Sequence, residues 1–188
     1  MAMSMHIFDK KLSWFAVLAI FLLNSSAFGS DVVGKPAPSL GVTDLQHRPV
    51  NLAKLHGQTV LLMFWATWCG PCRKEMPMVQ AAYEKFQGKG FTVIAVNVSD
   101  DREDVERYTK KLGVSFPVVL DPEGNIAERF GVIGLPTNYI IDSTGTVRKQ
   151  IIGGGLDRDH LEEILHKYST GINGQSQVIF ATKNPQAS

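Results

Sequence analysis

The sequence predicts an α/β sandwich, a central mixed β-sheet with helices on both faces. Three observations carry this. The apolar run Val60-Leu61-Leu62-Met63 reads as a buried strand, and the pattern Met76, Val79, Tyr83, Phe86 that follows has helical spacing. A second buried strand, Phe91 to Val98, is again followed by a helical face, Val105, Tyr108 and Leu112. Asp142-Ser143-Thr144-Gly145 then reads as a turn joining two strand-like runs into a hairpin. Strands that alternate with helices and close with a hairpin suit a sheet layered between helices.

The first 29 residues stand outside this pattern. Lys10 and Lys11 form a positive region, Leu12 to Leu23 is almost wholly apolar, and Ala27 and Gly29 precede Ser30 in a small-residue arrangement. Residues 1–29 therefore read as a secretory signal peptide, with an uncleaved membrane anchor as the alternative. Removal would leave about 160 residues, the size of one domain. The domain is expected over residues 30–169, with a loose polar tail over 170–188 around the short apolar piece Val178-Ile179-Phe180. The formal net charge of +1 gives no reason to expect a nucleic acid or an anionic membrane surface as partner.

Val33 to Gly57, broken by prolines and glycines, is expected to form a small hairpin ahead of the main sheet, with His47 and His56 as surface loop residues. The central strand then runs into Trp68-Cys69-Gly70-Pro71-Cys72, which holds both cysteines of the chain at the junction of a buried strand and a helix. Unpaired N–H groups and a partial positive charge mark the first turn of a helix. A thiolate at Cys69 would be stabilised there, below the free thiol value of about 8.5. Cys72, one turn later, can attack a mixed disulfide on Cys69 and release the product. The expected chemistry is dithiol–disulfide exchange, with Cys69 as nucleophile and Cys72 as resolving thiol. Pro71 suits the first helical turn. A structural disulfide would close too short a loop to stabilise much. A zinc site would need two further ligands, and the histidines lie far off in sequence, so no metal is expected.

The segment Phe64-Trp65-Ala66-Thr67-Trp68-Cys69-Gly70-Pro71-Cys72-Arg73-Lys74-Glu75-Met76-Pro77 resembles the active site of the thioredoxin superfamily, and in particular of the TlpA/ResA-type extracytoplasmic thiol–disulfide oxidoreductases. The resemblance extends from about Val33 to Tyr168. It implies a thioredoxin-like three-layer sandwich with an N-terminal β-hairpin and a central helix–strand insert, here over residues 99–121.

The remaining elements follow in order. The first helix is expected from about Cys72 to Gln87, ending at Gly88, with Pro77 inside it as a kink. Ser99 to Glu106 reads as a solvated loop and helix start, and Phe116 to Leu120 as a short strand. Pro136 precedes a strand over Thr137 to Ile141. The resemblance makes it a cis-proline beside the cysteines, with the Leu135 backbone open to a substrate strand. The hairpin leads to an edge strand, Thr146 to Ile152, and Gly153-Gly154-Gly155 reads as a flexible connection. Leu161, Ile164, Leu165 and Tyr168 mark a last helix, capped near Asp157.

Many thioredoxins carry a buried aspartate in the central strand. Met63 stands there in this chain. Glu75, three residues after Cys72 on the same helix face, is the candidate replacement. The expected catalytic residues are thus Cys69, Cys72 and Glu75, and the expected substrate-binding residues Trp68, Gly70, Pro71, Leu135 and Pro136. No cofactor is expected. The Gly70-Pro71 spacer is that of the reducing thioredoxins, so the resemblance implies an exported, periplasmic protein-disulfide reductase. It implies oxidised client proteins, apocytochrome c among them, and a membrane thiol-reducing transporter as electron donor. A monomer is expected. The rivals are a thioredoxin-fold metallochaperone, which would want a wider cysteine spacing and a metal-binding histidine, and a thiol peroxidase, whose nucleophile follows a proline-containing motif absent before Cys69.

Overall fold

The computed structural model describes residues 32–168. The expectations for residues 1–29 and for the tail, Val178 to Phe180 included, lie outside the described residues.

The chain opens with a small antiparallel hairpin, β1 (Val42–Thr43) and β2 (Pro49–Val50), followed by a 3₁₀ turn over Leu52–Leu55. The main sheet is built from β3 (Thr59–Trp65), β4 (Phe91–Val98), β5 (Val118–Asp121), β6 (Thr137–Ile141) and β7 (Val147–Ile152). Its order is β5-β4-β3-β6-β7, so β3 lies at the centre. β3 pairs parallel to β4 and antiparallel to β6; β4 pairs parallel to β5, and β6 antiparallel to β7. The helices are α1 (Gly70–Phe86), α2 (Arg102–Leu112), α3 (Asn125–Phe130) and α4 (Arg158–Tyr168).

Every residue of β3 is buried, because helices cover both faces of the sheet. Side chains alternate along a strand, so β3 feeds two cores. Leu61, Met63 and Trp65 join Met76 and Val79 of α1, Val105 of α2 and Leu161, Ile164 and Leu165 of α4; both cysteines belong to this cluster. Val60, Leu62 and Phe64 face the other way, toward Ile126 and Phe130 of α3, Tyr139 of β6 and Leu40 and Leu52 of the N-terminal segment. Burying each large apolar side chain contributes about 1.5–3 kcal/mol. The central strand is therefore the element on which both layers depend.

The α2–β5 insert follows β4 and adds a strand beyond it. It is tied to α1 through Gln80, whose side chain donates to Ser115 Oγ at 2.8 Å and accepts from Ser115 N–H at 3.0 Å. Gly113, at φ 68°, ends α2 in the left-handed region. Thr59 Oγ1 donates to the Tyr168 carbonyl at 2.7 Å, fastening the end of α4 to the start of β3.

The element boundaries differ from expectation in a few places. Helix α1 begins at Gly70 rather than Cys72, because Cys69 itself is the N-cap. It runs through Pro77, which leaves the Arg73 carbonyl without its helical donor. The short strand is Val118–Asp121 rather than Phe116–Leu120. Helix α3 was not legible from the pattern. It has six residues, and its free N–H groups at Ile126 and Ala127 donate to the Asp121 carboxylate at 3.0 and 2.9 Å.

Candidate active site

The site forms where β3 ends and α1 begins. Cys69 N–H donates to the Ala66 carbonyl at 3.2 Å, and Arg73 N–H to the Cys69 carbonyl at 3.1 Å, so the chain turns directly into the helix. Cys69 and Cys72 form a disulfide. Cys69 Sγ accepts the Cys72 N–H at 3.2 Å, taking up one of the free donors of the helix start. Cys69 keeps 5% of its surface accessible, whereas Cys72 is completely buried. A sulfur anion at Cys69 would therefore sit against a backbone donor, in the positive field of α1.

Glu75 lies one turn further along α1, buried on the inner side. Asn138 Nδ2 donates to its Oε2 at 3.0 Å, and the Leu156 N–H to its Oε1 at 3.4 Å. Burial pushes the Glu75 carboxyl above the ordinary carboxylate value, and the two donors only partly offset this. Glu75 is thus not the surface residue of a helical charge pair. Met63 is fully buried and pairs in register with Asn138, so the polar group on this part of the sheet is an amide on β6 instead of an acid on β3.

The Leu135–Pro136 peptide bond is cis. Leu135 is half-buried against the cluster that holds both cysteines. Gly153-Gly154-Gly155 does more than connect two elements. Gly153 N–H donates to the Pro136 carbonyl at 2.8 Å, and a Cβ at Gly154 would stand 3.3 Å from Pro71 Cβ. Gly153 and Gly154 both have φ of 76°, which admits glycine readily. The loop closes one side of an open cleft of about 580 Å³, lined by Gly70, Pro71, Lys74, Glu75, Leu156 and Arg158 among others.

Trp68 is 66% exposed and Ile133 87% exposed. Trp68 is an expected substrate-binding residue, and Ile133 stands two residues before Leu135 in sequence. Asp100 lies in the segment expected to be a solvated loop, yet its Oδ2 accepts the Thr67 N–H at 2.6 Å and the buried Asn97 Nδ2 at 2.7 Å. Among the described residues no three His, Cys, Asp or Glu side chains stand together to hold a metal ion, and no helix is long and apolar enough to cross a membrane.

Residues 33–150 match the AhpC/TSA family. The thiol-disulfide oxidoreductase ResA of Bacillus thuringiensis subsp. konkukian is 40% identical over 135 residues, 72% of this chain and 78% of that protein. A crystal structure of a protein described as a thiol:disulfide interchange protein, DsbE, from Chlorobium tepidum superposes with a TM-score of 0.67 at 34% identity, covering 72% of this chain and 96% of that one. A secreted thiol-disulfide isomerase from Corynebacterium glutamicum gives a TM-score of 0.61 at 27% identity, over 67% and 81% of the two chains. With its two cysteines joined at the head of α1 in a thioredoxin-like fold, this chain belongs to the AhpC/TSA family and is a ResA-type thiol–disulfide oxidoreductase.

Proposed function

We propose that the protein is an exported reductase of protein disulfides, working through Cys69 and Cys72. The observation that carries this is Cys69 Sγ, the one slightly accessible member of the pair, accepting the Cys72 N–H at the head of α1. In the reduced protein the Cys69 thiolate attacks one sulfur of a client disulfide. A mixed disulfide forms and the other client sulfur leaves as thiolate. Cys72, deprotonated, then attacks Cys69 Sγ, which re-forms the Cys69–Cys72 disulfide and releases the second client thiolate. Two electrons pass from the dithiol to the client. Glu75 takes the Cys72 proton and returns it to the departing thiolate. A raised carboxyl affinity for protons suits that exchange with a thiol.

The substrate surface in this reading comprises Trp68, Gly70, Pro71, Leu135 and Pro136. The exposed Trp68 and the half-buried Leu135, which packs against the cysteine cluster, provide apolar contact, and Gly70 and Pro71 line a cleft beside the cysteines. The apolar segment 12–23 supports export to the periplasm through a signal peptide over residues 1–29. An exported reductase must be recharged, which calls for a membrane thiol-reducing transporter as donor. The Gly70-Pro71 spacer favours reduction over oxidation, and the ResA resemblance favours apocytochrome c among the clients. The protein acts as a monomer in this scheme.

Cys72→Ser tests the reading. Without the resolving thiol, Cys69 still attacks a client but the mixed disulfide has no intramolecular escape. Complexes from the exported fraction should disappear on adding reductant and be absent from Cys69→Ser. Trapped apocytochromes would support a maturation role, a broad set a general reductase. An empty trap would overturn protein disulfides as the substrates.

A further inference from the structure

Asn138 is a fully buried amide on the sheet face that carries Leu61, Met63 and Ile140. A polar side chain is costly there unless its hydrogen bonds are made. One of them goes to Glu75 Oε2. The other polar atom, Oδ1, is buried with no protein partner, one of two such side-chain atoms among the described residues. A carboxylate needs donors, whereas a carboxylic acid also needs an acceptor for its O–H. A primary amide supplies either, depending on which way its terminal group is turned.

We propose that Asn138 is the positioning residue for Glu75, holding its carboxyl in both protonation states: Nδ2 donates to the carboxylate, and the amide turned over accepts from the acid at Oδ1. This rests on the reading of Glu75 as the proton acceptor for Cys72. The proton moves from Cys72 Sγ to a Glu75 oxygen and later to the departing client thiolate, so Glu75 is restored and no further reactant is needed. In this role Asn138 acts through the Glu75 carboxyl and not on the thiol or the client. It keeps the carboxyl in place while its charge changes, and the Leu156 N–H at 3.4 Å is the only other donor to that carboxyl among the hydrogen bonds described.

The surroundings leave this role to the amide. Titratable or charged groups near Glu75 are Cys72 and Lys74 on α1, and Asp157 and Arg158 at the entrance to α4, which line the same cleft as Glu75. Further off on β7, Lys149 is engaged by His160, Nζ to Nε2 at 3.0 Å. The strands beneath present Met63, Asn138 and Ile140.

The test uses two substitutions. Asn138→Leu removes the amide at similar volume on an apolar face. Asn138→Asp is isosteric and replaces the donor by a second acid, which keeps the test open should the leucine variant fail to fold. Two readouts are taken, the titration of the Glu75 carboxyl by ¹³C NMR and the pH–rate profile of the reduced protein with a small aromatic disulfide. Loss of one hydrogen bond to a charged group should raise the Glu75 midpoint by about one pH unit. The acid limb of the rate profile should move up with it. In a Glu75→Gln background, Asn138→Leu should move the profile no further. An unchanged Glu75 midpoint in both Asn138 variants overturns the proposal, even where Glu75→Gln alone alters the profile and the reading of Glu75 stands. An equal shift in the Glu75→Gln background also overturns it, since Asn138 would then act by another route. Superimposable profiles for Glu75→Gln and the parent remove the Glu75 reading and this proposal together.

Discussion

Asp100 accepts the backbone N–H of Thr67 at 2.6 Å, across 33 residues of sequence, and so fixes the chain two residues before Cys69. The same oxygen accepts from Asn97, whose side chain is fully buried at the end of β4. The turn leading from β3 to the cysteines is therefore anchored to the neighbouring strand.

Asp100→Ala should leave the Thr67 N–H and the Asn97 amide without their acceptor. The expected loss of stability is about 1–3 kcal/mol, measured by urea denaturation of the oxidised protein. Disulfide exchange should slow as well, because Trp68 and Cys69 lose their anchor. A variant as stable and as fast as the parent would show that the loop is held by other contacts.

The strands around the site were legible because their signal is local. Val60 to Met63 and Phe91 to Val98 are apolar runs, and the observed β4 has the expected limits. The cysteine pair is legible for the same reason, its strand–helix junction being written in adjacent residues. Asp100 and Asn138 were not legible. Their partners lie 33 and 63 residues away, and nothing in a local pattern separates them from a loop acid and a strand amide. Gly153 to Gly155 reads as flexible because it has no side chains to pattern. Its order comes from the bond to the Pro136 carbonyl and from the close approach to Pro71.

Ile133, two residues before Leu135, is proposed to extend the substrate surface, and its loss should separate client recognition from chemistry. Ile133→Ser changes a residue that is 87% exposed, so stability should stay within about 0.5 kcal/mol of the parent. Reduction of a protein disulfide should weaken severalfold, with exchange on a small disulfide retained. Equal rates on protein substrates would remove Ile133 from the client surface.

Glu75 gives a stability prediction with a definite sign. Burial raises its carboxyl above the ordinary value of 4.5, so the folded protein holds this proton more tightly than the unfolded chain. That contribution is fully present below 4.5 and is lost as the pH rises through the raised folded value. Glutamine cannot ionise and so escapes the loss. In the oxidised protein, where the thiols do not titrate, Glu75→Gln should gain stability relative to the parent as the pH is raised from about 4 to 8. Urea denaturation at each pH gives the difference directly, with the other ionisable groups cancelling. A gap that does not change with pH would mean that the Glu75 carboxyl titrates alike in the folded and unfolded states.

The order of thiol reactivity follows from the geometry at the head of α1. Cys69 is the N-cap, and its sulfur accepts the Cys72 N–H at 3.2 Å. A thiolate gains from that donor and from the helix field, both strongest at the first turn. Cys72 lies inside the turn and has no accessible surface, so its thiolate is disfavoured and its approach blocked. In the reduced protein at mildly acidic pH, iodoacetamide should label Cys69 at least about tenfold faster than Cys72, since each unit of difference in thiol pKa changes the thiolate fraction tenfold. Peptide mapping after brief exposure distinguishes the two. Unfolding in urea should bring the two rates together, because the helix start and the burial are then gone. Preferential labelling of Cys72 in the folded protein would reverse the roles of nucleophile and resolving thiol, and Cys69→Ser rather than Cys72→Ser would become the variant that traps clients.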